Sequence, residues 1–140
     1  MSADAFLILL HRRVAQGGRN WEGYGTDSLL SGEAAYKIVL GLQSAGVQAC
    51  AKHHFVYEQE YKCLQESLNV NDRMQHDIYQ RPFLRSIVAG VVSIICNYNL
   101  INDTYTCKND QMLNQLLKCE MGSREYIMLN WGGQMRGLSG

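Results

Sequence analysis

Three nearly continuous apolar runs, at 47–51, 91–98 and 126–130, alternate with stretches in which apolar residues recur every three or four positions. A strand with one face in water alternates apolar and polar side chains. A strand covered on both faces is apolar throughout, and helices placed between such strands put them in a parallel sheet. The expected fold class is therefore α/β. The first helical stretch, 31–45, carries Ala35, Ile38, Val39 and Leu42 at helical spacing, and Gly46 is placed to end it. A second begins at the capping pair Asn71-Asp72 and runs through Met74, Ile78, Phe83, Leu84 and Ile87 to Gly90, with the single proline, Pro82, expected to kink or divide it. A third, at 110–121, sets Met112, Leu113, Leu116 and Leu117 on one face.

Each apolar run ends in polar and aromatic residues: Lys52-His53-His54 after the first, Asn97-Tyr98-Asn99 after the second, Asn130-Trp131 at the third. Barrels and open parallel sheets both bind ligands at the carboxyl ends of their strands. A site is expected where these three clusters converge.

Composition removes other functions. With 13 Lys+Arg against 13 Asp+Glu, and basic residues scattered apart from Arg12-Arg13, the chain offers no electrostatic footprint for nucleic acid. The apolar run at 5–10 is far shorter than the roughly 20 residues a membrane-spanning helix needs. It also makes a poor signal peptide, because Asp4 stands where a basic region belongs and His11-Arg12-Arg13 follows without a small-residue cleavage site. The one N-x-T triplet, Asn102-Asp103-Thr104, is of a kind frequent by chance and leaves the compartment open. Five cysteines without C-x-x-C spacing give neither zinc nor thioredoxin-like geometry. Cys50 and Cys96, inside apolar runs, read as small buried hydrophobes, while a bridge from Cys107 to Cys63 or Cys119 stays open. His53-His54 with Glu58 lacks the helical spacing of a metal site. The Gly17-Gly18 loop lacks the spacing of a phosphate cradle. No metal and no cofactor are expected.

The run Gly18-Arg19-Asn20-Trp21-Glu22-Gly23 is followed in order by Ala51-Lys52-His53, Glu58-Gln59-Glu60, Tyr79 with Pro82-Phe83, Ala89-Gly90-Val91, Cys96-Asn97-Tyr98, Ile101-Asn102 with Tyr105 and Cys107, Leu113-Asn114 with Leu116-Leu117, and Trp131-Gly132 with Gln134. Together these resemble the amino-terminal catalytic domain of glycoside hydrolase family 3, in particular the fungal β-glucosidases. The resemblance is collinear over 15–140 and leaves 1–14 unmatched. It implies an incomplete (β/α)8 barrel, since a whole one takes about 250 residues. It further implies binding of a terminal β-D-glucosyl unit, as a β-glucoside or glucose, and hydrolysis by a retaining mechanism. There an aspartate attacks the anomeric carbon and a glutamate protonates the leaving oxygen. Carried over by the resemblance, Arg19 and the Lys52-His53 pair hydrogen-bond the sugar hydroxyls, where charged donors form the stronger bonds. Tyr98 touches the nucleophile, and Trp131 forms an apolar wall.

The departures fall at the chemistry. The family's nucleophile lies in a Ser-Asp-Trp run, and here that place reads Leu129-Asn130-Trp131. An amide is a poor nucleophile and carries no charge to stabilise an oxocarbenium-like transition state, so Asn130 is expected to abolish the double displacement. Deamidation is no rescue, because bulky Trp131 hinders the backbone attack it needs. Val56-Tyr57 replaces the family's usual Gly-Asn, and Gln80-Arg81 its usual apolar pair, commonly Leu-Trp. The family's acid/base glutamate usually comes from a following sandwich domain, expected to be absent from this chain. Glu22, Glu58 and Glu60 are substitutes by chemistry alone, being parts of the Arg19 and post-Lys52 loop motifs.

Three functions stay open: a β-glucosidase-like hydrolase deficient in catalysis, a non-catalytic sugar-binding pseudoenzyme, or a truncated fragment that does not fold alone because its sheet edges are unpaired. Oligomeric state is not legible.

Overall fold

The computed structural model describes residues 4–8 and 13–129. In chain order the strands are β1 (Asp4–Ile8), β2 (Gln48–His54), β3 (Ser67–Leu68), β4 (Ser93–Cys96), β5 (Leu100–Ile101), β6 (Thr104–Tyr105) and β7 (Tyr126–Met128). The α-helices are α1 (Ser28–Ser44), α2 (Asp72–Met74) and α3 (Arg81–Val88), with π-helical segments Gln75–Gln80 and Gln111–Glu120.

The main sheet is parallel in the order β1-β2-β4-β7, so each new strand adds beside the one before it. An open doubly wound sheet reverses that direction partway; a barrel never does. Helices separate the successive strands, as right-handed βαβ crossovers require. β1 comes from the segment that the sequence left unmatched, and it pairs along its whole length with β2, from Asp4↔Gln48 to Ile8↔Lys52. Ala49, Cys50, Ala51, Ile94 and Ile95 are buried, as strands covered on both faces must be.

Helix α1 begins three residues before the expected start because Asp27 caps it, its Oδ1 accepting from the Leu30 amide at 2.8 Å. Its end has the geometry of a Schellman motif: Gly46, at φ +79°, donates to Gln43 O and Val47 to Leu42 O. Ala35 and Val39 are buried against the sheet, with Ile38 and Leu42 partly buried beside them. Full burial of such a side chain contributes about 1.5–3 kcal/mol for each Val or Leu.

Asn71 caps the second helical stretch as expected, accepting from the Met74 amide at 2.8 Å. Pro82, which cannot donate an amide proton, sits in the first turn of α3, and the wider π-helical segment lies directly before it. The stretch is divided there. The third helix, Gln111–Glu120, is π-helical, so its buried side chains follow a wider spacing. Met112, Leu116 and Leu117 are buried and Met121 packs on the same core, whereas Leu113 is only partly buried.

The strand limits and the cysteine pairing need correction. β2 continues through Lys52, His53 and His54 instead of ending at Ala51, and β4 covers only Ser93–Cys96 of the apolar run at 91–98. Cys96 is buried but is not a free thiol: it forms a disulfide with Cys107, with Cα atoms 5.3 Å apart. Cys63 and Cys119, the partners left open for Cys107, are free. A smaller sheet, β3-β5-β6, joins β3, from the segment before α2, to the loop after β4, with β5 and β6 forming a hairpin. Among the described residues, no helix is long and apolar enough to cross a membrane.

Candidate functional site

β2 brings Lys52 and His53 to the carboxyl end of the sheet. The register with β4 passes from Lys52↔Ile95 to His54↔Cys96, an irregularity that accommodates one extra residue, His53. The peptides Lys52–His53 and His54–Phe55 are cis.

The loop ahead of α1 supplies the counterpart. Arg19 precedes the short 3₁₀ turn Asn20–Glu22, which folds Glu22 back onto the guanidinium. Arg19 Nε donates to Glu22 Oε1, and Nη2 to Oε2 at 2.6 Å. Lys52 Nζ lies 3.9 Å from the same Oε2. The Glu22 side chain is 6% exposed, against 16% for Lys52 and 31% for Arg19, so the acid is the most covered member of a partly buried cluster. The Arg19 hydrogen bond, then the nearby positive charge of Arg19 and Lys52, holds the Glu22 carboxyl below the usual carboxylate range despite its burial. An acid kept ionised in this way is a poor proton donor. Glu22 orients the two cations.

Glu60 adds a second acid, 3.6 Å from Arg19 Nη1. Gly18 makes this approach possible: it sits at φ +85°, and a Cβ there would stand 3.1 Å from Glu60 Cγ. His53 is buried, with the ring of Tyr57 5.5 Å away. Burial, followed by a hydrogen bond to Cys63, pushes the Tyr57 phenol far up.

Glu58 faces the interior. It accepts from Tyr79 Oη at 2.7 Å and from the Arg13 backbone amide at 2.9 Å, joining three chain segments. Burial, then the Glu58 bond, pushes the Tyr79 phenol up to about 12, so it stays a donor. Val56-Tyr57, which replaces the family's usual Gly-Asn, is buried, with Val56 at φ +55°. Gln80, where the family usually has an apolar residue, is also buried, and its Oε1 lies 3.1 Å from His54 Nε2. Desolvation lowers the His54 pKa to about 4, so its imidazole is neutral near pH 7.

The sequence places Asn97 and Asn99 among the convergent polar groups, but both amides brace the backbone. Asn97 Nδ2 donates to Phe55 O and Asn99 Nδ2 to Val56 O, each at 2.9 Å. They satisfy carbonyls that leave the sheet just past β2. Tyr98, between them, lies in the loop after β4 and is half-buried. Asn130 and Trp131 lie outside the described residues; β7, which leads to them, runs parallel to β4 with Ile95 paired to Met128. The structure thus joins Arg19 and Lys52 through Glu22 and places His53 next in the strand. The role of Glu22 as the hub is not legible in the sequence. Its only signal there is its position three residues after Arg19, compatible with an ion pair across one turn. Among the described residues, no group of three His, Cys, Asp or Glu side chains is arranged to hold a metal ion.

Parallel strands added in sequence, with charged donors at their carboxyl ends, define a barrel-type α/β domain whose chemistry sits on the loops after the strands. Residues 8–139 match the Glycosyl hydrolase family 3 N terminal domain, and the chain belongs to that family. It is 42% identical over 138 residues to the probable beta-glucosidase M of Neosartorya fischeri, covering 91% of this chain and 18% of that protein. Among solved structures it is similar to the beta-D-glucoside glucohydrolase of Trichoderma reesei, with 38% identity and a TM-score of 0.88 over 92% of this chain and 19% of that one. It is also similar to DesR of Streptomyces venezuelae, a beta-glucosidase in complex with D-glucose, with 31% identity and a TM-score of 0.90 over 93% of this chain and 17% of that one. The fold is a partial family 3 barrel. The chain spans less than a fifth of the length of each of these relatives.

Proposed function

We propose that this chain forms the sugar-holding part of a β-glucosidase-type barrel, over 15–140, and binds a terminal β-D-glucosyl unit without hydrolysing it. The observation that carries this reading is the convergence of Arg19 and Lys52 on Glu22, whose side chain is the least exposed of the three, at the carboxyl end of β2, with buried His53 beside them. Two partly buried cations fixed on one carboxylate are pre-oriented donors for a polyol, and together with Glu60 their charges balance, which suits a neutral sugar. Tyr98 and Trp131 complete the pocket in this reading. Asn130 stands at the nucleophile position; its amide nitrogen has no available lone pair for attack at the anomeric carbon and no charge to stabilise an oxocarbenium ion.

The test uses the purified chain. D-Glucose or gluconolactone should raise its melting temperature, because a ligand that binds only the folded state stabilises it by mass action. Lys52→Ala should remove the rise. With 2,4-dinitrophenyl β-D-glucoside, whose leaving group needs no protonation, the unaltered chain should release no phenolate above a buffer blank. Turnover that disappears in Lys52→Ala would overturn the non-catalytic reading, and a melt unmoved by either sugar would overturn binding. Absence of any cooperative melt would favour the fragment that does not fold alone.

A further inference from the structure

Tyr57 lies just past β2, and its ring and its hydroxyl engage different parts of the proposed sugar site. At roughly 3.3 Å per residue, an extended chain would carry residue 57 about 13 Å beyond residue 53. Here the chain folds back. Val56 turns at φ +55°, a region that β-branched residues rarely enter, while Asn99 Nδ2 donates to its carbonyl at 2.9 Å. The Tyr57 ring thereby stands 5.5 Å from the His53 imidazole, tilted by 50°. Both residues are buried. The family's usual asparagine at this place carries no ring, so the contact comes with the substitution. A buried phenol is costly unless its hydroxyl is bonded. That of Tyr57 is bonded to Cys63 and to Glu60. It has a single proton, which belongs on the carboxylate as the stronger acceptor, and its oxygen then accepts from the Cys63 thiol. Cys63 is brought within reach by a tight turn in which its amide donates to Glu60 O at 3.2 Å.

Glu60 links this phenol to the cations. Its side chain is 36% exposed and stands 3.6 Å from Arg19 Nη1, a separation at which a partly solvated pair by itself imposes little order. The Tyr57 hydroxyl on its other flank restricts it. We propose that Tyr57 is the positioning residue that makes this site selective for one configuration of sugar hydroxyls: its ring fixes the plane of His53, and its hydroxyl holds Glu60 against Arg19. The inference rests on the sugar-binding reading and extends it to the donors that Glu22 does not reach. Glu22 engages Arg19 through Nε and Nη2 and draws in Lys52, which leaves Nη1 and His53 to Tyr57. Donors held from both sides are aimed before the ligand arrives. A sugar with one hydroxyl inverted then leaves a donor unmatched, which is the basis of selectivity. A tyrosine that served packing alone could become phenylalanine with no effect on the sugar.

Titrations of the full chain followed by NMR test it, with D-glucose and D-galactose, which differ in the configuration of one hydroxyl. The unaltered chain should prefer glucose. Tyr57→Phe, which keeps the ring, should weaken glucose binding about three- to tenfold, the effect of one modest hydrogen bond, and narrow the preference. Glucose bound as tightly and as selectively by Tyr57→Phe as by the unaltered chain overturns the proposal. Glu60→Gln should act in the same way, and the double variant should lose less than the product of the two single effects. Fully multiplicative losses overturn the path through Glu60. Two measurements without sugar separate failure of this proposal from failure of the binding reading. The His53 ring-proton signal should move in Tyr57→Leu and stay in Tyr57→Phe, and the urea midpoints of Tyr57→Phe and Glu60→Gln should combine non-additively. If the chain binds neither sugar, the binding reading falls, and these two measurements decide whether Tyr57 holds His53 and Glu60: an unmoved His53 signal, or additive urea effects, overturns it. Should Tyr57→Leu not fold, nuclear Overhauser contacts between the two rings of the unaltered chain take its place, and their absence overturns the ring contact.

Discussion

Glu22 and Arg19 meet in a two-pronged contact: both carboxylate oxygens of the glutamate accept from separate guanidinium nitrogens, and the glutamate is the more buried partner. The pair fixes the plane of the guanidinium, and through the same carboxylate it sets the position of Lys52.

Glu22→Gln removes that charge while keeping the size. It should cost about 1–2 kcal/mol of stability, the lower end of a charge-assisted bond because Arg19 is partly solvated. It should also shrink the gluconolactone-induced rise in melting temperature. An undiminished rise would mean that Glu22 does not orient the donors.

Acid should weaken the fold in two windows. Between about 6.5 and about 4 the unfolded chain binds a proton on His54 that the folded chain refuses, so stability falls as pH drops through this range, by about 3 kcal/mol in all. Glu22, whose pKa is lowered from 4.5, contributes stability that is present above 4.5 and lost as pH falls through its folded value. His76 acts in the opposite sense: bonded first to Glu120, its pKa is raised, so its small, solvent-screened contribution is complete below 6.5 and lost at higher pH. Urea midpoints of His54→Gln should lie nearly flat between about pH 6.5 and about pH 5, above the window in which Glu22 titrates. A slope as steep as that of the unaltered chain would exclude His54 as the cause.

Tyr79→Phe leaves the buried Glu58 carboxylate one donor short and should cost about 1–3 kcal/mol. Combined with Glu58→Gln, the loss should be less than the sum of the two single effects, because both changes remove the same bond. Additive losses in denaturant titrations would show that the two residues act independently.

Two glycine substitutions should have opposite signs. Gly18→Ala puts a Cβ at φ +85° against Glu60 and should destabilise by about 1–2 kcal/mol. Gly41→Ala, in exposed helix with nothing within 4 Å of the new carbon, should stabilise by about 0.5–1 kcal/mol. Thermal melts of the two variants read the difference directly.

Features encoded within a few residues of one another are legible in the amino-acid order. The apolar runs mark the buried strands, the stripe Ala35, Ile38, Val39, Leu42 marks α1, and Asn71, Pro82 and Gly46 mark a cap, a division and a stop. In each case one residue's shape or hydrogen-bonding capacity acts on its immediate neighbours. Motif order carries the family, since residues spaced along a chain can be matched without knowing where they meet.

Partnerships between distant residues come from the folded chain alone. Cys96 lies in an apolar run and carries no sign of its bond to Cys107 until the β5–β6 hairpin brings the two together. Asn97 and Asn99 have the same polarity as site residues, and only the path of the chain after β2 shows that they brace Phe55 and Val56. Lys52 is recognisable as a candidate donor, but its direction depends on Glu22, far earlier in the chain. That contact exists because a parallel sheet sets the loop before one helix beside the end of the following strand.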